Sequence, residues 1–356
     1  MIMDDFDDYI RQGEPSMGDK ARAWQTAIGL QKVDQLNVSE YLIDTARKHV
    51  EGEISLSDVR HLVNAYYEKK DARNEHSRTK EADDVSVRIT ELLSEQTFSM
   101  SPVGFIAIHR HLFSGIYDHA GKIRDYNISK KEWVLDGDTV VYASAGDLSD
   151  TLDYDFSKEK RYDYSQHALQ ESVAHIAQFI SGIWQIHPFG EGNTRTTAVF
   201  LIKYLRSFGF DINNDLFKDN SWYFRNALVR ANYSNLQKGI TATDHFLMLF
   251  FRNLILGENN ALRNRDMHIS LVKNTSQSAK SESPKCQNGT LDCTLEEMSV
   301  FKAIKANPKI TQTALAELIG KSPRTVKRLT VSLQEKGIIS RKGGRRNGSW
   351  EISAPL

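Results

Sequence analysis

The sequence predicts a mainly α-helical fold with two or three domains, and three observations lead to this class. Apolar residues recur at alternating steps of four and three between Leu169 and Ile183, which is the period of one helix face. The chain has 356 residues, a length that suits two or three domains. A polar stretch at 273–293, rich in Ser, Lys, Asn and Gln, has the composition of a linker.

The first 82 residues predict short helices. Apolar residues have helical spacing in SEYLIDTARKHV and again in SDVRHLVNAYYEKK. Ser39 and Ser57 are the expected N-caps of these two runs, and Gly52 lies between them as a stop signal. The charged run EKKDARNEHSRTKEADD follows, and we expect a solvated helix face or a linker there. We therefore assign 1–82 to an N-terminal helical segment.

Residues 83–272 form the large middle unit. The run TTAVFLIKYLRSFGF is apolar nearly all round, which predicts a central buried helix that ends at Gly209. The main exception to the helical pattern is YNISKKEWVLDGDTVVYAS. Its β-branched and aromatic residues flank Asp136 and Gly137, a turn signal that predicts a β-hairpin.

Residues 294–356 predict a small winged helix-turn-helix domain. Three helical runs come first, and the third starts with Ser322 as the N-cap and Pro323 at the first helical position. Two strand-like runs around a glycine-rich tip follow. This order puts the third helix in the position that reads DNA in such domains.

Charge is distributed unevenly along the chain. Lys plus Arg and Asp plus Glu number 46 each, so the whole chain is not predicted to bind polyanions. The segment 321–346 is strongly basic. Within it, Arg324 and Lys327 are candidates for a DNA groove, and Arg345 and Arg346 for phosphate contacts. A protein-docking role for the winged helix is the alternative.

Several protein classes are excluded by composition. No stretch approaches the roughly 18 apolar residues of a membrane span, and the acidic N-terminus lacks the pattern of a signal peptide. Cys286 and Cys293 are too few and too far apart for a zinc site, and we expect both to be exposed thiols. These features favour a cytoplasmic protein in a reducing compartment.

The loop at 186–195 gathers polar groups between two apolar helices. A loop that enters a helix exposes unpaired N–H groups and the positive end of the helix dipole, which together bind phosphate. Gly190 and Gly192 allow the backbone to approach a ligand closely. Asn193 and Arg195 add side-chain donors, and a guanidinium can make forked contacts to phosphate oxygens.

Two more residues of this loop can supply chemistry. His187 titrates near neutral pH and is a candidate base for an attacking hydroxyl. Glu191 offers a hard oxygen ligand for Mg²⁺ that is shared with the phosphates of a nucleotide. A base, a metal ligand and an anion-binding loop are what nucleotidyl or phosphoryl transfer requires. Taken singly, each residue has an ordinary structural explanation; their order within nine positions favours a site.

The stretch HPFGEGNTRTTA at 187–198 resembles the signature of the Fic family, H-x-F-x-(D/E)-G-N-G-R-x-x-R. The resemblance extends over residues 83–260 and implies a Fic-fold helical core. Family members mostly transfer AMP from ATP to a Ser, Thr or Tyr hydroxyl of a protein. It implies His187 as the base, Glu191 as the Mg²⁺ ligand and ATP as the donor. The phosphate-binding residues that it implies are Gly190, Gly192, Asn193, Thr194 and Arg195.

The resemblance also implies a flap and a nucleoside pocket. In this family a hairpin before the motif clamps the target protein by adding a strand to it. NISKKEWVLDGDTVVY matches that flap, so the target is expected along 127–143, with a plain structural excursion as the alternative. Tyr223, Asn226 and Tyr233 resemble residues that line the nucleoside pocket of relatives, and core packing is the alternative for them.

Two positions depart from the family signature. Thr194 replaces its third glycine, and a β-branched residue tolerates fewer backbone conformations. Ala198 replaces its second arginine, which normally contacts the terminal phosphates. Slower catalysis, a substitute arginine elsewhere in the chain, and a differently bound donor are the three alternatives.

The N-terminal segment resembles a regulatory element. Many Fic proteins carry an inhibitory helix with the pattern (S/T)-x-x-x-E-(G/N), whose glutamate occupies the γ-phosphate region. RKHVEG at 47–52 matches with Glu51 and Gly52, although Arg47 replaces the Ser or Thr. The resemblance implies that Glu51 is inhibitory, and pairing with Arg195 is one option because the usual partner is absent.

From these observations we predict a Mg²⁺- and ATP-dependent protein adenylyltransferase that is autoinhibited and modifies itself as well as a target protein. One alternative is a DNA-binding regulator whose weakly active Fic core senses a nucleotide. Another is an enzyme of the same fold that moves a different phosphate-linked group. A second copy of the chain is a further candidate partner, since relatives often pair through the Fic core.

Overall fold

The computed structural model describes residues 6–12, 15–69, 77–210, 215–271, 293–343 and 348–353. These residues are mainly helical, with one two-stranded antiparallel sheet among them, so the predicted fold class is confirmed. The helices before the loop at 186–195 are α1 (Asp7–Gln12), α2 (Pro15–Leu30), α3 (Glu40–Val50), α4 (Leu56–Lys69), α5 (Ser77–Ser94), α6 (Pro102–Phe113), α7 (Leu148–Lys160) and α8 (Leu169–Ile186). The later ones are α9 (Asn193–Ser207), α10 (Asp215–Ala231), α11 (His245–Phe251), α12 (Leu295–Ala306), α13 (Gln312–Leu318) and α14 (Pro323–Glu335). The strands are β1 (Ile339–Lys342) and β2 (Ser349–Ile352).

Helices α8 and α9 form the centre of the molecule. Every residue of α9 from 193 to 205 is buried, which confirms the predicted buried helix. Helix α8 packs beside it, and α5, α6, α7 and α10 contact one or both of the pair. The loop at 186–195 connects α8 to α9, so its residues are held between two helices of the core.

The N-terminal segment packs tightly onto this core. Helix α2 lies between α5 and α10, and a short 3-10 helix, Gln31–Asp34, continues from it towards α9. Ser39 is the predicted N-cap of α3, because its Oγ accepts a hydrogen bond of 3.1 Å from the N–H of Leu42. The prediction for Ser57 is wrong. Helix α4 begins at Leu56, one residue before Ser57, and the hydroxyl of Ser55 accepts a hydrogen bond from the N–H of Asp58.

The flap at 127–143 turns as predicted but does not form paired strands. Asp136 and Gly137 have the positive φ values, 58° and 83°, that the turn signal requires. The expected β-hairpin is nevertheless absent from this described segment. Val134 and Leu135 are both buried and belong to a 3-10 turn, so the alternation that a strand needs is broken.

The C-terminal unit has the predicted order of helices and strands. Ser322 caps α14 through the N–H of Thr325, and Pro323 occupies the first turn. Strands β1 and β2 pair with Ile339 opposite Ile352. The two arginines proposed for phosphate contacts at the tip of this hairpin, Arg345 and Arg346, lie outside the described residues.

The winged helix packs directly against the helical core. The N–H of Leu169, the first residue of α8, donates to the carbonyl of Cys293 over 3.0 Å. The Cys293 side chain is buried, which contradicts the predicted exposed thiol, because it closes the apolar contact between the two units. Cys286 and most of the predicted linker lie outside the described residues. No helix of the described chain is long and apolar enough to cross a membrane.

Candidate active site

The loop between α8 and α9 depends on two glycines for its path. Gly192 has a φ of 78° and precedes α9. A Cβ atom at this position would lie 2.4 Å from the ring of Phe113, and one at Gly190 would lie 2.6 Å from the hydroxyl of Tyr126. Neither distance is compatible with a larger residue unless the neighbour moves. Gly192 is therefore required by its positive φ and by the buried ring beside it, whereas the exposed Tyr126 side chain could move away from a larger residue at position 190.

The side chain of Asn193 forms hydrogen bonds with the backbone of the loop. Its Oδ1 accepts from the N–H of Phe189 over 3.0 Å, and its Nδ2 donates to the carbonyl of the same residue over 2.8 Å. The ring of Phe189 stacks on His109 with a centroid distance of 3.7 Å. In the structure, the Asn193 side chain therefore stabilises the backbone of the loop, whereas the sequence motif alone suggests a contact with a ligand.

His109 is a positioning residue that the sequence analysis missed. Its Nδ1 accepts from the N–H of Gly121 over 2.8 Å, so its proton lies on Nε2. That Nε2 donates to the carbonyl of Glu191 over 3.0 Å. Burial lowers the pKa of His109 to about 4, which keeps this arrangement of one acceptor and one donor near neutral pH.

His187 has the protonation state of a base. Its Nδ1 lies 3.1 Å from the carbonyl of Trp184, and because a carbonyl only accepts, Nδ1 carries the proton. Its Nε2 is buried and has no hydrogen-bond partner among the described atoms. Burial, followed by the nearby charge of Lys130, lowers the pKa of His187 well below its usual value. The free lone pair on Nε2 is therefore available near neutral pH.

The flap covers this base. The ring of Tyr142 lies 4.2 Å from the imidazole of His187, between centroids. The side chain of Lys130 ion-pairs with both carboxylate oxygens of Glu191, at 2.9 and 3.0 Å. In this structure the segment 127–143 therefore lies against His187, and Lys130 neutralises the charge of Glu191.

Arg195 is buried and surrounded by N-terminal residues. Its Nη2 donates to Glu81 over 2.7 Å, and its Nη1 donates to Gln31 over 3.1 Å. Its Nε lies 2.8 Å from Oδ2 of Asp34, an ion pair without hydrogen-bond alignment. Burial alone lowers the pKa of Arg195, but the neighbouring acidic groups outweigh it and raise that pKa.

Asp34 also contacts a second arginine. Its Oδ1 accepts from Nη1 of Arg225 over 3.0 Å. Arg225 in turn donates from Nη2 to the flap residue Glu132 over 3.0 Å, and its pKa is raised because these acidic groups outweigh burial. Asp34 thus bridges two guanidinium groups, Arg195 from α9 and Arg225 from α10. Sequence patterns gave no sign of this contact, since the three residues are distant along the chain.

A cleft of ≈ 670 Å³ runs beside these groups. Most of the described residues that line it are polar or charged. Of the predicted site residues, Glu191 and Arg195 line it, and His187 lies behind the flap. The charged residues that line the cleft are Asp34, Arg78, Glu81, Lys130, Lys131, Glu132, Glu191, Arg195 and Arg225.

The two departures from the family signature are both buried. The hydroxyl of Thr194 accepts from the indole N–H of Trp184 over 3.0 Å, so it braces α8 against α9. Ala198 is fully buried in α9. No side chain extends from position 198 into the cleft, and Arg225 is the arginine that lies beside Arg195 through their shared carboxylate.

The predicted contact between Glu51 and Arg195 is not formed. Glu51 is exposed at the end of α3 and accepts a hydrogen bond from the hydroxyl of Tyr9. The carboxylates beside Arg195 are Asp34 and Glu81 instead. The helix that carries Glu51 belongs to a separate apolar cluster of α2, α3 and α4, which holds it away from the cleft.

The three predicted nucleoside residues make contacts within the protein. Tyr223 donates its hydroxyl to the carbonyl of Phe246 over 3.1 Å. Tyr233 donates to the flap residue Asp138 over 2.7 Å. Asn226 donates to Asn264, while its own Oδ1 is buried without a partner in the described structure. None of the three is among the described residues that line the cleft.

The winged helix presents a basic helix face. Arg324 and Lys327 are exposed on α14, the third helix of the unit. Arg328 on the same helix is also largely exposed, with 67% of its side chain accessible. The apolar face of α14 is buried through Val326, Leu329 and Leu333. The exposed cations therefore lie on the side of the helix that remains open.

Comparison with known proteins matches two parts of the chain. The Fic/DOC family model matches residues 99–205. A winged helix-turn-helix DNA-binding model matches residues 298–340. The probable protein adenylyltransferase y4lH of Sinorhizobium fredii (strain NBRC 101917 / NGR234) is 29% identical over 126 residues, which is 35% of this chain. The aligned part spans 62% of the length of that relative.

Proposed function

We propose that this chain, which contains a Fic/DOC domain at 99–205 and a winged helix-turn-helix at 298–340, is a protein adenylyltransferase. It transfers AMP from ATP to a Ser, Thr or Tyr hydroxyl of a target protein. The buried Nε2 of His187, which has no hydrogen-bond partner among the described atoms, is the single observation that carries the proposal. It lies in the same loop as Glu191 and directly before the helix of Arg195.

The residues of the loop have different roles in the proposed reaction. Nε2 of His187 takes the proton of the target hydroxyl, whose oxygen attacks the α-phosphorus of ATP. A new P–O bond to the target forms, the bond to the β-phosphate breaks, and diphosphate leaves. Arg195 and the first turn of α9 bind the phosphates. Because phosphoryl chemistry depends mostly on positioning and charge, the rigid packing of the loop is the main contribution of the fold.

Glu191 is the residue that would hold Mg²⁺. Its carboxylate is 44% exposed at the cleft, and one carboxylate together with nucleotide phosphates is a usual ligand set for this ion. When bound, the ion neutralises phosphate charge. Lys130 occupies both oxygens of Glu191 in the closed flap, so it must withdraw before the ion binds.

The structure represents an inhibited form under this proposal. Asp34, Glu81 and Gln31 occupy the polar atoms of Arg195 that phosphate would use. Displacement of Asp34 would remove one carboxylate from each of two arginines, Arg195 and Arg225. Arg225 then serves as the second phosphate-binding arginine, in place of the one missing at Ala198.

Labelled ATP tests the proposed reaction. The chain is incubated with [α-³²P]ATP or [γ-³²P]ATP and Mg²⁺, alone and with a cell lysate, both unaltered and as Asp34→Asn. Label from the α position on the chain or on a lysate protein supports AMP transfer, and loss of that label in His187→Ala assigns it to this site. Label from the γ position alone indicates a kinase. No label from either nucleotide in any form contradicts the enzyme.

A DNA-binding regulator is the second candidate, and the exposed cations of α14 favour it. A DNA-binding winged helix loses affinity steeply with salt, by a slope of roughly 0.9 for each phosphate contact. Arg324→Ala with Lys327→Ala should reduce that slope. Lys305→Ala with Lys309→Ala, exposed lysines of the same unit outside α14, should not. A slope that is equal in both double variants favours protein docking instead.

A further inference from the structure

A single buried guanidinium, that of Arg124, contacts both the catalytic loop and the flap. Its Nε donates to the carbonyl of His187 over 2.8 Å. Its Nη1 donates to the carbonyl of Tyr126 over 2.6 Å, and its Nη2 to that of Ala143 over 2.6 Å. Nη2 also lies 3.4 Å from the carbonyl of Ile186. The side chain is 95% buried, since only 5% of its surface is accessible.

These carbonyls belong to the two ends of the flap and to the residue that is the base. Tyr126 directly precedes the flap at 127–143, and Ala143 is its last residue. The main chain adds a further bond, from the N–H of Arg124 to the carbonyl of Pro188 over 2.9 Å. Because a guanidinium is planar and its donors are fixed relative to one another, it sets the spacing of the groups that it binds.

The contact also fixes the backbone of the base. His187 has a left-handed backbone with a φ of 51°, at the C-terminal end of α8. Such a conformation is disfavoured for a residue with a side chain, and the last carbonyls of a helix need partners outside it. The guanidinium of Arg124 binds those carbonyls, and its positive charge also interacts favourably with the negative end of the helix dipole. The left-handed turn aims the Nδ1 proton of His187 back at Trp184 and leaves Nε2 free.

From this geometry we infer that Arg124 is a positioning residue for the transfer reaction. It ties the flap, on which the target is proposed to bind, to the backbone of the base, and so fixes the distance between the target hydroxyl and Nε2 of His187. The inference rests on the proposed function for the reaction itself. The orientation of His187 can be tested without any activity.

Arg88 offers a matched control for this residue. Its Nη1 donates to the carbonyls of Leu112 and Ser114 over 2.9 and 2.7 Å, at the end of α6. Arg88 is partly buried, and like Arg124 it binds carbonyls at the end of a helix. Loss of Arg88 removes the same kind of contact without touching the flap or the catalytic loop. A purely structural role for Arg124 predicts the same behaviour in both positions.

The kinetic test uses self-modification by [α-³²P]ATP in the Asp34→Asn background. In Arg124→Gln we expect kcat to fall about 100-fold and the KM for ATP to change less than about threefold, because a displacement near 1 Å is enough for such a loss. Arg124→Lys should recover part of kcat. Arg88→Gln should retain kcat. Equal loss in Arg88→Gln and Arg124→Gln, or no loss in either, overturns the inference.

A second measurement separates this inference from the proposed function. Nitrogen-15 NMR of the histidine rings shows which nitrogen of His187 carries the proton, with His187→Asn used to assign its signals. Arg124→Gln should shift the signals of both ring nitrogens, and Arg88→Gln should leave them in place. If the unaltered chain transfers no AMP but Arg124→Gln shifts the ring signals, only the proposed function fails. If Arg124→Gln leaves them unchanged, the positioning role is rejected whatever the activity.

Discussion

The carboxylate of Asp34 lies 2.8 Å from Nε of Arg195, and both residues face the cleft. A carboxylate so placed occupies one side of the guanidinium that the proposed reaction needs for phosphate. The same carboxylate binds Arg225 over 3.0 Å. The affinity of the cleft for an anion should therefore depend on whether Asp34 keeps its contact with Arg195 or is displaced from it.

Asp34→Asn should activate the chain. The change keeps the volume of the side chain and removes the charge that competes with phosphate. Removing a negative charge 2.8 Å from the guanidinium weakens the competition with phosphate, so we expect AMP transfer to rise by about tenfold or more. The initial rate of label transfer from [α-³²P]ATP measures this.

Glu51→Gly is the matched control for Asp34→Asn. Glu51 is an acidic residue of the same N-terminal segment, but it lies with Tyr9 rather than with Arg195. Its replacement should leave the rate within about twofold, as is usual for surface substitutions away from packed features. A larger activation in Glu51→Gly than in Asp34→Asn would restore the original assignment of the inhibitory residue.

Arg225→Ala should weaken ATP binding. Arg225 is the guanidinium that shares Asp34 with Arg195, and no arginine is present at position 198. Losing one charged donor should raise the KM for ATP by about 10- to 100-fold. Arg252→Ala removes another arginine paired with a glutamate, Glu258, outside the described lining of the cleft. An equal KM in the two variants would exclude Arg225 from the phosphate site.

Lys130→Ala should lower the Mg²⁺ concentration that half-saturates the reaction. Lys130 pairs with both oxygens of Glu191, which are then unavailable to a cation. Removing a competing charge at about 3 Å should shift the midpoint by at least about threefold. A Mg²⁺ titration of AMP transfer measures the shift, with the exposed Lys122→Ala as the control. The same midpoint in both variants would show that the ion does not use Glu191.

The pH profile of the reaction should lack an acid limb near pH 6.5. Burial, with the charge of Lys130, holds the pKa of His187 well below the ordinary value of 6.5, so Nε2 stays unprotonated as pH falls through that value. The acid limb of kcat against pH should appear only well below 6.5. In Lys130→Ala, where one cause of the shift is removed, the limb should move to higher pH.

The same group links stability to pH. Below pH 6.5 the unfolded chain protonates this histidine while the folded chain does not, so the unfolded state binds more protons. The free energy of unfolding should therefore fall as pH drops below 6.5. His187→Gln should reduce that dependence, measured by urea unfolding at pH 5 and pH 7. An identical pH dependence in His187→Gln would show that the histidine titrates normally.

Local patterns predicted the central helices and the loop between them. A run that is apolar nearly all round predicts a buried helix, because it has no polar face for solvent. Helix α9 is such a helix. The cap at Ser39 was predictable because a serine before a helix start can accept a hydrogen bond from an unpaired N–H of the first turn. The hairpin failed because adjacent residues Val134 and Leu135 both enter the core, which propensity alone does not reveal.

The contacts that set the state of the site were outside the reach of such patterns. Asp34 and Arg195 are far apart in the chain, as are Lys130 and Glu191. No periodicity connects such pairs, because only the packing of α2 and of the flap onto the core brings them together. The Glu-Gly pattern predicts Glu51 as the inhibitory residue, whereas in the structure Asp34 is the acidic residue beside Arg195.

The first residue of α8, Leu169, bonds to Cys293 just before the winged helix, and His187 follows the last residue of α8. A helix of 18 residues is about 27 Å long at 1.5 Å per residue. The contact with Cys293 and the base therefore lie at opposite ends of α8. A second contact joins the winged helix to the segment after α9, where Ile319 packs against Gly209, so a displacement of the winged helix can act on both helices that hold the loop.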